Sequence, residues 1–220
     1  MKTKLKLFLK ENGRYALASF LIPLLILTLV YLSIGIYPGS DRSILASDAF
    51  SQFSNFHASF RNMLLGKQSI FYTWNASLGL NYLSLISYYL GGIFTPLVVL
   101  FPNQMMPDAL YFLTILKVGC AGLSFWFLAR TYKIPRWGHV ALSVSYASIS
   151  FITAHSEIIM WLDAFIYLPL IILGIHRVMD LKKPIVLFVS YLLLFLSSFY
   201  MGFMIGVFSF LYFVIRLLSN

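Results

Sequence analysis

Charge is the first thing this sequence is short of. Only 10% of its 220 residues are Asp, Glu, Lys or Arg, against 60% hydrophobic, and that balance excludes an ordinary soluble domain. Cysteine is nearly absent too. Cys120 stands alone inside an apolar run, which rules out a disulfide framework and a cysteine-based metal site and leaves helix packing as its simplest role. His155 and His176 have no second ligand at metal-site spacing, so neither points to a metal. No coiled coil, low-complexity tract or repeat at the roughly 20 to 50 residue periods of solenoids is visible.

What is present is a series of long apolar runs separated by basic clusters. The formal charge of +9 comes from 16 Lys and Arg against 7 Asp and Glu, and those cations sit between the runs rather than along one face. They read as topology signals, not as a nucleic-acid surface. The composition and pattern predict an all-α, polytopic transmembrane helix bundle, a single transmembrane domain over 1–220 with about five to seven membrane segments. The lipid bilayer is its first partner.

The run at 15–37 is long enough, at about 1.5 Å per residue, to cross roughly 30 Å of hydrocarbon. Lys2, Lys4, Lys6, Lys10 and Arg14 precede it, and it is too long for a signal peptide, so it is read as an uncleaved span with a cytoplasmic N-terminus. The clusters Arg130, Lys133, Arg136 and Arg177, Lys182, Lys183 belong on the same side. Spans at 137–154 and 158–176 then form a hairpin whose outer tip is His155 to Asp163. An odd number of crossings must join 38 to 130. The run at 109–130 is the continuous one, whereas 82–101 is interrupted by Gly91, Gly92 and Pro96 and is expected to be re-entrant or interfacial. The last run, 184–218, forms either one long kinked helix or two short ones broken near Ser197 to Gly202.

Most of the chemistry lies in the outer loop at 38–81. With Ser47 as N-cap, residues 48–64 fit an amphipathic juxtamembrane helix with Phe50, Phe53, Phe56, Phe60 and Leu64 on one face and Asp48, Gln52, Asn55, Ser59 and Asn62 on the other. An acid in a first helical turn is also favoured by the macrodipole alone, so Asp48 has a structural reading beside a functional one. Lys117 lies about 12 Å into its span, where an ammonium needs a partner. An anionic ligand would serve, and so would an ion pair with Asp163 or Glu157.

A resemblance rests on these same residues. The blocks Ser47-Asp48-Ala49-Phe50-Ser51-Gln52-Phe53, Ser69 to Asn75 with Gly79, Tyr88-Tyr89, Asp108 to Tyr111 through Lys117, and Met160-Trp161-Leu162-Asp163 with Leu168-Pro169-Leu170 resemble, in order and spacing, the bacterial YfhO family. That likeness implies a GT-C-type membrane glycosyltransferase of the bacterial cell membrane, transferring a hexosyl or acetylhexosaminyl group. The implied donor is an undecaprenyl-phosphate-linked sugar, and the implied acceptor is a cell-surface polymer such as teichoic acid on the outer face. It further implies Asp48 as the base that takes the acceptor's proton. Arg42 or Lys117 would stabilise the departing lipid phosphate, with Gln52, Trp74, Asn75 and Asp163 as further substrate-binding residues. No cofactor is implied, and a divalent metal is left open. The family's Asp-to-Gln motif most often continues with Tyr, where this chain has Phe53. Family members are longer, so the likeness is to their N-terminal part. Two rival functions stay open: a non-catalytic membrane scaffold, and a transporter of lipid-linked substrate that uses an intramembrane Lys and broken apolar segments.

Overall fold

The structure, a computed structural model, describes residues 2–76 and 78–219. Among them four helices are long and apolar enough to cross a membrane, and the architecture is a helix bundle with a single two-stranded hairpin. The chain rises through α1 (Lys2–Ser33) and builds an outer layer. This layer consists of a π-helical turn (Ala49–Phe53), α2 (Ser54–Leu64), the hairpin β1 (Tyr72–Thr73) and β2 (Leu80–Asn81), the single turn α3 (Tyr82–Leu85), a second π turn (Ile86–Leu90) and a 3-10 turn (Thr95–Leu100). It descends through α4 (Met106–Ala129), returns through α5 (Arg136–Ala147) and α6 (Ser150–Ala154), and descends again through α7 (Ile159–Leu181). A last hairpin pairs α8 (Ile185–Ser197) with α9 (Phe199–Leu218).

Small residues set the bundle's centre. A methyl group at Gly122 of α4 would overlap the Ser19 carbonyl of α1, so glycine is what lets these backbones meet where lipid offers no hydrophobic drive. The pairing of α4 with α7 is read from Lys117 beside Ile159 and Asp163, and from Thr114 Oγ1 donating to the Ser156 carbonyl. These contacts make α4 and α7 parallel, with the start of α7 lying well below the start of α4.

The basic residues gather at one end. Arg130 lies over the rings of Phe8 and Trp126, Arg136 donates to the Glu11 carbonyl, and Arg216 of α9 binds Asp180 near the end of α7. These contacts tie the end of α4 and the start of α5 to α1, and the end of α9 to the end of α7.

Several expected elements differ. The run at 137–154 is not one helix: it breaks after Ala147, with Ile149 extended, in a stretch where Ser143, Thr153 and Ser156 return their hydroxyls to backbone carbonyls. The run at 184–218, by contrast, takes one of its two expected forms, two helices broken at Ser198. Ser198 adopts an extended backbone and caps α9 by accepting from the Met201 amide, while Ser197 bonds back to Leu193. Neither α5 nor α8 is long enough to cross roughly 30 Å of hydrocarbon, so the tips they lead to stop short of the outer surface.

The segment at 82–101 fills the space above those tips. It is a chain of short turns, and its two glycines sit where no side chain fits. A methyl group at Gly91 would overlap the Leu196 carbonyl of α8, and one at Gly92 would lie 2.6 Å from the Asp163 Oδ2. Tyr88 packs edge-on against Phe199, at 5.6 Å between centroids. The main core joins this layer to the bundle, with Phe53, Phe60, Leu90 and Val98 packed in one cluster with Leu110, Leu113, Ile159 and Leu162.

Candidate functional site

The outer strip begins at Asp48. Ser47 takes a left-handed backbone, φ 49°, so it is Asp48 that stands at the N-cap position, and its side chain makes no capping bond. Its carboxylate is exposed instead and accepts from Gln52 Nε2 through Oδ1 at 3.1 Å. The Gln52 carbonyl oxygen in turn accepts from the Tyr89 hydroxyl at 3.2 Å, which fixes the amide's orientation. Tyr89 comes from the neighbouring turn segment and is gripped by the rings of Phe53 and Phe56 at 5.8 and 4.9 Å. Burial, with Tyr88 and the Asp48 carboxylate adding to it, pushes the Tyr89 phenol above its ordinary range, so it remains a donor.

The π turn also changes which face is inward. Ala49, Phe53, His57 and Phe60 are buried, whereas Phe50 is 71% exposed and Leu64 faces outward. The expected face of Phe50, Phe53, Phe56, Phe60 and Leu64 assumed uniform α-helical steps, and the wider first turn rotates Phe50 off it. His57 is the unanticipated inward residue. Its Nδ1 lies 2.7 Å from the Phe53 carbonyl, and burial, opposed by that carbonyl and aided by the Lys117 cation, lowers its pKa to about 4.

Further along the polar face Asn55, Ser59 and Asn62 line a cavity of about 240 Å³ with Thr73 and Asn75 of the hairpin, over the apolar floor of Phe56 and Leu85. No charged side chain lines it. Gln68 braces it by accepting from both Ser59 Oγ and Asn75 Nδ2 through one oxygen, at 3.0 and 3.3 Å. Trp74, between two lining residues, is 78% exposed and lies edge-on to Tyr72 at 4.9 Å.

The other predicted site residues lie apart from this strip. Lys117 and Asp163 bind each other at 2.7 Å with both side chains 2% exposed, and Lys117 also donates to the Ile159 carbonyl at 3.0 Å. The second carboxylate oxygen, Oδ1, has no hydrogen-bond partner among the described residues. Arg42 is exposed and donates through Nη1 to the Ile34 carbonyl, closing the loop after α1. No three His, Cys, Asp or Glu come together as a metal site among the described residues. Chain comparison then places the molecule: residues 19–220 match the family model described as bacterial membrane protein YfhO. The chain belongs to the YfhO family. No curated protein and no solved structure matches it. This YfhO-family chain is therefore a multi-pass membrane protein, and part of its polar strip, Asp48 with Gln52 and Trp74 with Asn75, falls in segments that carried the resemblance.

The role of Tyr89 was missed in sequence because it depends on two turns meeting in space. Its position beside Tyr88 in a quoted block was the available signal. Ser59, Asn55 and Asn62 were placed on the polar face, but nothing in their spacing disclosed that the hairpin at 72–81 closes a cavity over them.

Proposed function

We propose that this protein transfers a sugar from a polyprenyl-phosphate-linked donor to a cell-surface polymer, such as teichoic acid, on the outer face of the bacterial plasma membrane. The observation that carries the reading is the exposed Asp48 carboxylate, held at one oxygen by an amide that a tyrosine orients, seven residues before Asn55, the first residue to line a polar cavity with no charged side chain among its described lining residues. An acceptor hydroxyl is a poor nucleophile. Asp48 takes its proton as the oxygen bonds to the anomeric carbon and the bond from that carbon to the lipid phosphate breaks. Amide and hydroxyl side chains suit an uncharged sugar, since they offer donors and acceptors without desolvating an ion. Arg42 keeps guanidinium donors beyond the one spent on Ile34 and is assigned to the leaving phosphate, because Lys117 is already paired. The end that gathers Arg130, Arg136, Arg177 and Arg216 is assigned to the cytoplasm, which puts the N-terminus inside and the strip outside.

The test is transfer of labelled sugar from an undecaprenyl-phosphate donor to purified teichoic acid by the membrane-inserted protein, with Asp48→Asn as control. Activity lost by about 10² to 10⁴ in the variant supports the base. Equal transfer by both proteins refutes it, and no transfer by a correctly inserted wild type removes the enzymatic reading. A second reading, movement of a lipid-linked substrate, draws on the buried Lys117–Asp163 pair beneath the broken segment at 82–101. Passage of label across proteoliposomes without a new glycosidic bond would favour it.

A further inference from the structure

A second polar cavity opens at the opposite end of the bundle, and nothing in the outer strip's chemistry accounts for it. It measures about 310 Å³ and lies where the ends of α4, α7 and α9 converge, lined by Thr131, Tyr132, His176, Arg177, Asp180 and Arg216. Leu173 and Leu181 supply its apolar wall. Two guanidiniums face one carboxylate, so the cavity carries a formal excess of one positive charge. Lys133, Lys182 and Lys183 flank it in sequence.

The excess is available rather than spent. Arg216 binds both oxygens of Asp180 through the single nitrogen Nη2, at 2.8 and 2.7 Å, which leaves Nη1 and Nε without an acceptor among the described residues. Arg177 makes no side-chain hydrogen bond or ion pair among the described residues, although it is half-buried at the cavity. A guanidinium held half-buried without an acceptor is costly, and the chemistry that satisfies two such forks is a phosphate oxygen pair. Tyr132 and Leu181 are 50% and 56% exposed, as expected for side chains at the junction of hydrocarbon and headgroups. A phosphate at this depth, beside an apolar wall that runs back into the bundle, is most simply one attached to acyl chains.

We propose that this cavity binds the phosphate of an anionic phospholipid, with Arg177 and the free nitrogens of Arg216 as its ligands. The site is independent of the outer strip and of any transferase activity. Free phosphate shares the same chemistry, and the assay separates the two sources.

The experiment uses the full chain in nanodiscs of phosphatidylglycerol and phosphatidylcholine, released into native mass spectrometry to count retained lipid. Wild type is expected to keep phosphatidylglycerol in preference to phosphatidylcholine. Arg177→Gln is expected to lower that retention by about tenfold, the scale of one charge-assisted contact. This variant breaks no side-chain hydrogen bond or ion pair among the described residues, so its unfolding temperature in phosphatidylcholine should stay close to wild type. Lys67→Gln, in the outer loop, serves as a variant with the same loss of charge and is expected to keep the lipid. Equal retention of the two lipids by wild type, or equal loss in both variants, overturns the proposal. So does full displacement of phosphatidylglycerol by millimolar inorganic phosphate, which would make the site one for the free ion.

Discussion

Replacing Lys117 by Met should be among the most damaging single changes in the bundle. The ammonium supplies Asp163 Oδ2 with its donor at 2.7 Å, and Oδ1 has none among the described residues, so Lys117→Met leaves a buried carboxyl with no donor at all. Breaking one side of a buried pair costs about 3 to 5 kcal/mol. At roughly 2 to 4 °C per kcal/mol for a chain of this size, the unfolding temperature in detergent should fall by about 6 to 20 °C. Removing both charges is a different perturbation. Lys117→Met with Asp163→Leu fills the same volume without an ion, and such replacements are often neutral or stabilising, so the double variant should return to within about 3 °C of wild type. Thermal unfolding of the four proteins of this cycle, followed by loss of soluble fluorescent fusion, measures the coupling directly. The reasoning is refuted if Lys117→Met unfolds with wild type, or if the two substitutions simply add. A lysine kept for a ligand's phosphate would give that first result together with lost activity.

Three other outcomes follow from the outer layer. Tyr89→Phe should leave the fold intact but lower the turnover of any Asp48-dependent transfer by about tenfold, since Gln52 loses the bond that orients it; an unchanged rate would show that the amide needs no such hold. Gly91→Ala should destabilise by about 3 kcal/mol, because the new methyl group must displace the Leu196 carbonyl, and a wild-type unfolding temperature would mean that the two segments do not meet. His57 titrates at about 4 when folded against 6.5 ordinarily, so the unfolded chain takes its proton first. Stability should therefore decline by about 3 kcal/mol as pH falls from about 6.5 to about 4 and level off below, and a His57→Asn protein should lose that part of the slope in a pH series of unfolding temperatures.

Much of the bundle was legible because lipid imposes long apolar runs and topology leaves basic residues between them. The spans at 15–37, 109–130 and 158–176 are each dominated by a single helix for that reason. Hydropathy has less to say about where a helix stops within an apolar run. Beside the break at Ser198, the turn segment presses Gly91 against the Leu196 carbonyl, a tertiary contact, while hydroxyls of Ser197, Ser143 and Thr153 compete locally for carbonyls around this break and the one at Ile149. The same distinction holds for the site. Asp48 and Gln52 are four residues apart on one turn, so their pairing was close to the surface of the sequence. Tyr89 lies 37 residues beyond Gln52 and Lys117 is 46 from Asp163, so only the fold brings each to its partner. The π turn at Ala49–Phe53 is a third case: one added residue per turn re-aims Phe50, and no composition rule announces it.

The short helices α5 and α8 have a consequence for the membrane itself. At 12 and 13 residues they span only about 18 and 20 Å, roughly 10 Å less than the hydrocarbon around them. Where lipid rather than the segment at 82–101 meets these helices, the bilayer would thin locally, drawing its leaflet toward the turn segment and the polar strip. Under the proposed transfer, a sugar carried on a lipid would then reach the strip without lifting its tail from the leaflet. Bilayer thickness would thereby control that proposed transfer, and lipids with longer acyl chains should slow it with the protein's own chemistry unchanged.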